Sequence, residues 1–296
     1  MEVSVIIINY NTFKLTCNCI QSVIDHTFGT AYEIILVDNA SKECNADLFK
    51  EKFPQIKLIK SEQNLGFAGG NNLGINHASG EYILLLNSDT IMVENSIQFI
   101  YKKCKTIHDL GAATIKLTYP DGKIQHSAQK FPSLIAHFLF TTRLNKVFTK
   151  LYNKKGGVFD FSKDFSCDWI WGTFFYFPAK NLKTTNGKLA DTYFMYAEDI
   201  EWCHNFKSNG LKNYYFSETK IIHLGGMSSP DKFKNKLIIQ NNLHFIKKHY
   251  GVIHYSIKKL LLTIDTIESK LRSARRDKQS FKSPEMRVKN EIKCSQ

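Results

Sequence analysis

Three places in the chain put acidic or imidazole side chains directly beside an apolar run, where an element end would present them to a ligand. The first is Asn87-Ser88-Asp89, which follows the apolar stretch 82–86. A carboxylate just past a buried strand can hold a hard divalent ion and leave positions for phosphate oxygens. The same triplet also reads as an ordinary turn, because Asn and Asp favour turns. The second is Glu198-Asp199-Ile200-Glu201, at the start of a helical pattern. A carboxylate there can take a proton from a hydroxyl within hydrogen-bond reach, yet the helix dipole alone favours acidic residues in a first turn. The third is His223, after Ile221-Ile222 and before Leu224-Gly225-Gly226-Met227-Ser228-Ser229. A neutral imidazole ligates metals and an imidazolium contacts diphosphate, although a lone histidine after a strand is more often structural.

Two further segments could hold a ligand without reacting with it. Val37-Asp38-Asn39-Ala40-Ser41 offers a carboxylate and an amide to a base or a ribose. Asn64-Leu65-Gly66-Phe67-Ala68-Gly69-Gly70 opens a helix with glycines, which permit close backbone approach, and a helix N-terminus favours anions. The glycines follow the third apolar strand rather than the first and lack G-x-G-x-x-G spacing, which argues against a dinucleotide-binding turn. Asn9-Tyr10-Asn11-Thr12 after the first strand carries no glycine at all, against both a nicotinamide dehydrogenase and the Gly-rich triphosphate loop of a sugar nucleotidyltransferase.

The elements that position these residues follow from hydrophobic periodicity. Strands are expected at 3–9, 33–37, 56–60, 82–86, 112–117, 169–177, 214–216 and 220–224. Helices are expected at 13–26, 48–53, 67–78, 95–108, 197–208, 233–250 and 253–276. Alternation of this kind predicts an α/β fold with an open, mostly parallel sheet covered on both faces. Such sheets bind ligands at the carboxyl ends of their strands, where Asn9, Asp38 and Asn87-Ser88-Asp89 fall. Residues 119–164 read as irregular, and the chain from about Asp277 as a polar, disordered tail.

Taken together, Ser4-Val5-Ile6-Ile7-Ile8-Asn9-Tyr10-Asn11, Val37-Asp38-Asn39-Ala40-Ser41, Asn64-Leu65-Gly66-Phe67 and Asn87-Ser88-Asp89 resemble the inverting family 2 glycosyltransferases, and within them the rhamnosyltransferase-like branch. Trp171-Gly172, the run Asp191 to Trp202, and Ile222-His223-Leu224-Gly225 extend the resemblance over roughly residues 3–250, apart from 119–164. It implies a GT-A fold with a nucleotide-sugar-binding half (1–118), an acceptor and catalytic half (119–250), and a basic helical extension (251–296). It also implies that Asn9, Asp38, Asn64, Gly66, Asn87 and Trp171 bind the nucleotide-sugar. Asp89 and His223 would hold Mg²⁺ or Mn²⁺ under the diphosphate. Asp199 would be the base, with Glu198 as its substitute or orienting neighbour. The triplet has Asn87 where many relatives carry Asp. The implied reaction moves a sugar, rhamnose among the candidates, from a nucleotide-diphosphate donor to a glycan or lipid-linked acceptor in cell-surface polysaccharide synthesis. A non-catalytic nucleotide-sugar-binding subunit is the alternative from another class.

Charge and composition bound the partners. The chain carries a net +13, and from Asp231 onward it has 16 Lys and Arg against 6 Asp and Glu, so the excess sits at the C-terminal end. That suits an anionic lipid surface or a pyrophosphate-bearing acceptor, and no nucleic-acid motif accompanies it. Ile253, Ile257, Leu260, Leu261, Ile264 and Ile267 recur at helical spacing among lysines and arginines, as in an interfacial helix. Asp265 and Glu268 interrupt the stripe, which equally suits a helix docked on protein. With no stretch near the ~20 apolar residues of a membrane span and no targeting pattern before the first strand, the expected place is the cytoplasm, with peripheral contact at the inner membrane face. Seven cysteines without metal-type spacing read as reduced thiols.

Overall fold

A computed structural model describes residues 1–156, 158–225 and 231–282. Among these residues two compact units emerge, one within 1–132 and 156–245 and one within 133–155 and 246–282. The first unit is an α/β sheet structure. In chain order its elements begin β1 (Val3–Asn9), α1 (Phe13–His26), β2 (Tyr32–Asp38), α2 (Asp47–Lys52), β3 (Lys57–Lys60), α3 (Gly66–Ile75), β4 (Tyr82–Asn87), β5 (Thr90–Met92), α4 (Ser96–Lys105) and β6 (Leu110–Thr118). Two short strands follow, β7 (Ile124–Gln125) and β8 (Ala128–Gln129). The second unit then contributes α5 (Leu134–Thr141) and α6 (Thr149–Gly156). The first unit resumes with β9 (Phe165–Cys167), β10 (Trp169–Ile170), β11 (Phe174–Pro178), α7 (Glu198–Ser208) and β12 (Lys212–His223). The last helix, α8 (Asp231–Lys282), belongs to the first unit up to Phe245 and to the second beyond it.

The main sheet runs β3-β2-β1-β4-β11-β6-β12-β5. Neighbours β3-β2-β1-β4 are parallel, as are β6 and β12, whereas β11 is antiparallel to both β4 and β6. Central β1 reads Val-Ser-Val-Ile-Ile-Ile-Asn and is almost wholly buried, as expected for a strand covered on both faces. The period of two divides its side chains: Val3, Val5 and Ile7 join the core beneath α1 and α4, and Ile6 joins the core containing α3 and α7 residues. Within α3, Gly69, Gly70 and Gly74 each lower intrinsic helix propensity by about 1 kcal/mol relative to alanine, but they let the helix lie close to its neighbours. A Cβ on Gly74 would stand 2.5 Å from Ile6 Cγ2.

Most elements match the sequence-based expectation, and the departures have physical causes. The expected strand at 169–177 is two strands, β10 and β11, separated at Trp171-Gly172-Thr173, where the chain leaves one sheet for the other. The two strands expected at 214–216 and 220–224 are one strand, β12, with an irregularity between Phe216 and Lys220. Strand β5 has only three residues, too few for a periodic signal. The region 119–164 contains α5 and α6 rather than irregular chain alone. Within α8 the helix breaks at Gly251 (φ 84°), between the two expected helices, and continues through Lys282. Gly226 to Ser229 and the chain after Lys282 lie outside the described residues. Among the described residues no helix is long and apolar enough to cross a membrane, and six cysteines are free thiols.

Candidate active site

At the carboxyl end of β1, Asn9 is 1% exposed and its amide is fully engaged. Its Nδ2 donates to Asp38 Oδ1 (2.8 Å) and Ser41 Oγ (2.9 Å), and its Oδ1 accepts from the Thr12 and Thr16 hydroxyls. Asn9 therefore orients Asp38 at the end of the neighbouring strand. The Ser41 N–H also donates to Asp38 Oδ2, at 3.3 Å. These few donors leave the carboxylate acceptor capacity for a donor group such as a ribose hydroxyl.

The glycine segment is fastened to protein. Asn39 Nδ2 donates to Asn64 Oδ1 and to the Gly66 carbonyl, and Asn39 Oδ1 accepts from Leu65 N–H. Gly66 N–H donates to Asn64 Oδ1, and Phe67 N–H to the Phe194 carbonyl. Three successive amides at the start of α3 thus have protein acceptors, so the close approach that glycine permits here is to Phe194. With φ at +70°, a Cβ on Gly66 would lie 2.2 Å from that carbonyl oxygen. Asn64 and Gly66 join Asp38's neighbour Asn39 to the segment leading into α7.

Asp89 and His223 come together through β5. Its antiparallel register pairs Thr90 with His223, and the Leu224 N–H donates to the Asp89 carbonyl. His223 Nε2 stands 3.4 Å from Asp89 Oδ1, with both residues buried. Gln125 Nε2 donates to the His223 carbonyl, which fixes its Oε1 to accept from His223 Nδ1–H at 2.6 Å. In a neutral imidazole this leaves the Nε2 lone pair facing a carboxylate, an arrangement suited to a shared cation. Both donors can reach one ion at the ~2.1 Å usual for such bonds, and a ligating histidine ordinarily donates its other N–H to an oxygen. Nearby in sequence, Asn87 Oδ1 is buried without a protein hydrogen-bond partner. The residues present therefore fit a divalent ion whose coordination phosphate oxygens would complete. Among the described residues no group of three His, Cys, Asp or Glu side chains gathers.

The turn dividing β10 from β11 links this pair to the acidic helix start. Asn87 N–H donates to the Thr173 carbonyl, and one residue earlier Gly172 N–H donates to Asp199 Oδ2 at 3.2 Å. Gly172 has no room for a side chain, since a Cβ would lie 2.8 Å from the Phe67 ring. Trp171 is half-buried against the core, and its backbone N–H donates to the Ser127 carbonyl. Asp199 Oδ1 also accepts from the Ile200 N–H. Burial outweighs these two donors and pushes the Asp199 carboxyl up to about 6. Glu198 is 5% exposed with Oε2 unpartnered, and burial, then the Asp199 charge, raises its carboxyl well above the usual range. The helix enters through Tyr196 (φ 66°) and Ala197 (φ 75°), two non-glycine residues in the left-handed region. Asn241 Nδ2 holds that turn by donating to the Met195 and Tyr196 carbonyls.

Sequence reasoning did not single out Gln125 or Asn241. Gln125 lies in a two-residue strand, and Asn241 lies amid ordinary polar helix residues. Asn39 lies in the Val37-Asp38-Asn39-Ala40-Ser41 motif, but its role in holding the glycine segment has no sequence signal.

The profile described as "Glycosyl transferase family 2" matches residues 4–167. It contains Asn9, Asp38, Asn64, Gly66, Asn87 and Asp89 and runs through 119–164; it ends before Trp171, Glu198, Asp199 and His223. Among curated proteins, a 104-residue segment is 34% identical to glycosyltransferase GlyG of Streptococcus pneumoniae, covering 34% of each chain. Rhamnosyltransferase WbbL of Escherichia coli is 28% identical over 167 residues, 53% of this chain and 60% of that one. The matched region thus spans about a third of GlyG and under two thirds of WbbL. The structure of Staphylococcus aureus TarS 1–349 in complex with UDP superposes with a TM-score of 0.54 at 18% identity, covering 83% of this chain and 66% of that one. At that identity the likeness speaks for the fold alone. With its mostly parallel sheet and a family profile spanning more than half its length, this chain belongs to glycosyl transferase family 2 and has the GT-A fold.

Proposed function

We propose that the chain is an inverting glycosyltransferase that moves a sugar from a nucleotide-diphosphate sugar to a hydroxyl of a glycan or lipid-linked acceptor in cell-surface polysaccharide synthesis. The observation that carries this reading is the Gly172-Thr173 link, which ties the Asp199 carboxylate to the strand end that leads into Asp89. A proton acceptor and a phosphate-side cation pair at one sheet end are what a single-displacement transfer needs.

Asp199 takes the proton of the acceptor hydroxyl as its oxygen attacks the anomeric carbon. The bond from that carbon to the diphosphate breaks on the opposite face, and its electron pair leaves on the diphosphate oxygen. Asp89 and His223 would hold a Mg²⁺ or Mn²⁺ ion, which when bound would supply positive charge against the departing diphosphate. Asp38, oriented by Asn9, accepts from the nucleoside. Burial and the Asp199 charge raise the Glu198 carboxyl, which disfavours a second negative charge beside the base. Trp171 and Asn87 line the approach of the sugar and diphosphate, and Asn64 and Gly66 fix the segment beneath them.

The donor is a dTDP- or UDP-sugar. WbbL is named a rhamnosyltransferase, and TarS structures are titled as complexes with UDP and UDP-GlcNAc. A lipid-linked acceptor agrees with the basic C-terminal helix and with a cytoplasmic enzyme in peripheral contact with the inner membrane face. Release of nucleoside diphosphate from a panel of nucleotide-sugars, with and without Mn²⁺, tests the reading. Metal-dependent release from one donor supports it and names the sugar. Donor binding without release, even with lipid-linked acceptor extract added, favours a non-catalytic nucleotide-sugar-binding subunit.

A further inference from the structure

The segment 133–155, which carries α5 and α6, has no part in the reaction above and is unusual in its surface. Phe138, Phe140 and Phe148 are 49%, 58% and 50% exposed, and Val147 and Leu151 are exposed beside them. Helix α6 buries no residue at all. An eight-residue helix without a buried face is marginal in water, and an apolar surface of this kind marks an interaction site. The charge says which. Arg143, Lys146, Lys150, Lys154 and Lys155 are accompanied by no Asp or Glu anywhere in the segment. Lys146, Lys150 and Lys154 recur every fourth residue, with Val147 and Leu151 next to them in the chain.

We infer that residues 133–155 dock on the surface of an anionic lipid bilayer. Phenylalanine and aliphatic side chains alternating with lysine, without acidic residues, enter the headgroup boundary while the ammonium groups meet lipid phosphates. A protein partner would need an apolar surface that is also strongly acidic, whereas an anionic bilayer offers both properties together. Within the same unit, α5 is fixed to α8 through His137, whose Nε2 lies 2.9 Å from Asp265 Oδ2 and whose Nδ1 contacts Lys258 Nζ. These contacts give α5 a rigid base independent of the membrane. The inference adds a second membrane element to the contact proposed for the C-terminal helix.

Co-sedimentation of the full chain with vesicles tests this, in the absence of nucleotide-sugar, so its outcome is separate from that of the transfer reaction. The wild-type protein sediments with vesicles of phosphatidylcholine and phosphatidylglycerol in equal parts and stays in solution with phosphatidylcholine alone. Replacing Lys146, Lys150 and Lys154 by Gln weakens binding to the anionic vesicles by about a hundredfold, roughly fivefold per lysine. Phe138→Ser with Phe148→Ser weakens it by roughly tenfold or more. Binding by both variants equal to wild type overturns the inference, as does loss only in an Ile257→Ser, Leu260→Ser protein, which would leave α8 as the sole contact. A wild-type dimer that the Phe replacements split, with no vesicle binding, also overturns it in favour of a second copy. Should the Ser variants misfold, Phe148→Trp keeps the apolar surface. Quenching of its added fluorescence by brominated anionic lipid supports the inference, and no quenching beyond wild type overturns it.

Discussion

Asp199 sits where the protein opposes its ionisation, and that opposition has kinetic and thermodynamic consequences. With its carboxyl at about 6, the proposed base is mostly ionised only above that pH. The rate of nucleoside diphosphate release should therefore fall about tenfold per pH unit below about 6 and level off above it, which a pH–rate profile reads directly. The folded-state value lies above the ordinary 3.8, so the favourable contribution present below 3.8 is lost as pH rises through about 6. At pH 7 the carboxylate is thus a burden on the fold. Asp199→Asn should unfold at an equal or higher temperature than wild type while losing activity by ~10²–10⁴-fold. Gln125 acts at one remove, by fixing the His223 ring. In the metal-dependent transfer proposed above, Gln125→Leu should raise the half-saturating Mn²⁺ concentration by roughly 10–100-fold, measured by metal titration of product release.

At the scale of elements, the site depends on close backbone approaches as much as on strand ends. Gly66→Ala would place a methyl group against the Phe194 carbonyl in a left-handed conformation. It should destabilise the protein by roughly 1–3 kcal/mol and lower turnover, since Phe194 leads into the Asp199 helix. Gly122→Ala is the control: its φ is also positive, but nothing lies within 4 Å, so urea midpoints should separate the two. The long periodic elements were legible, with β1 and α1 matching their expected bounds, because burial on one face or both leaves a pattern in residue type. The three-residue β5 was not, although its pairing with β12 helps bring Asp89 beside His223. Asp38, Asp89, Asp199 and His223 were visible as polar residues at element ends, and the roles proposed for them come from the family resemblance rather than from their spacing. Their supports were not visible in this way, because an amide that orients a neighbour, as in Asn9, Asn39, Gln125 or Asn241, has the same local sequence as one facing water.

For the whole molecule, the chain divides between a sheet unit that carries every candidate site residue and a smaller helical unit with exposed apolar and basic surface. Charge follows the same division, with its excess in the C-terminal helix. The family profile ends at residue 167, so the roles proposed for Glu198, Asp199 and His223 rest on the sequence resemblance beyond it and on their geometry. The most direct test compares wild type, Asp199→Asn and Asp89→Ala for nucleoside diphosphate release from the donor that the panel selects, in saturating Mn²⁺, with each variant shown to be folded. Release by wild type and a loss of ~10²-fold or more in both variants are expected. Release by folded Asp199→Asn at the wild-type rate would contradict the proposed mechanism.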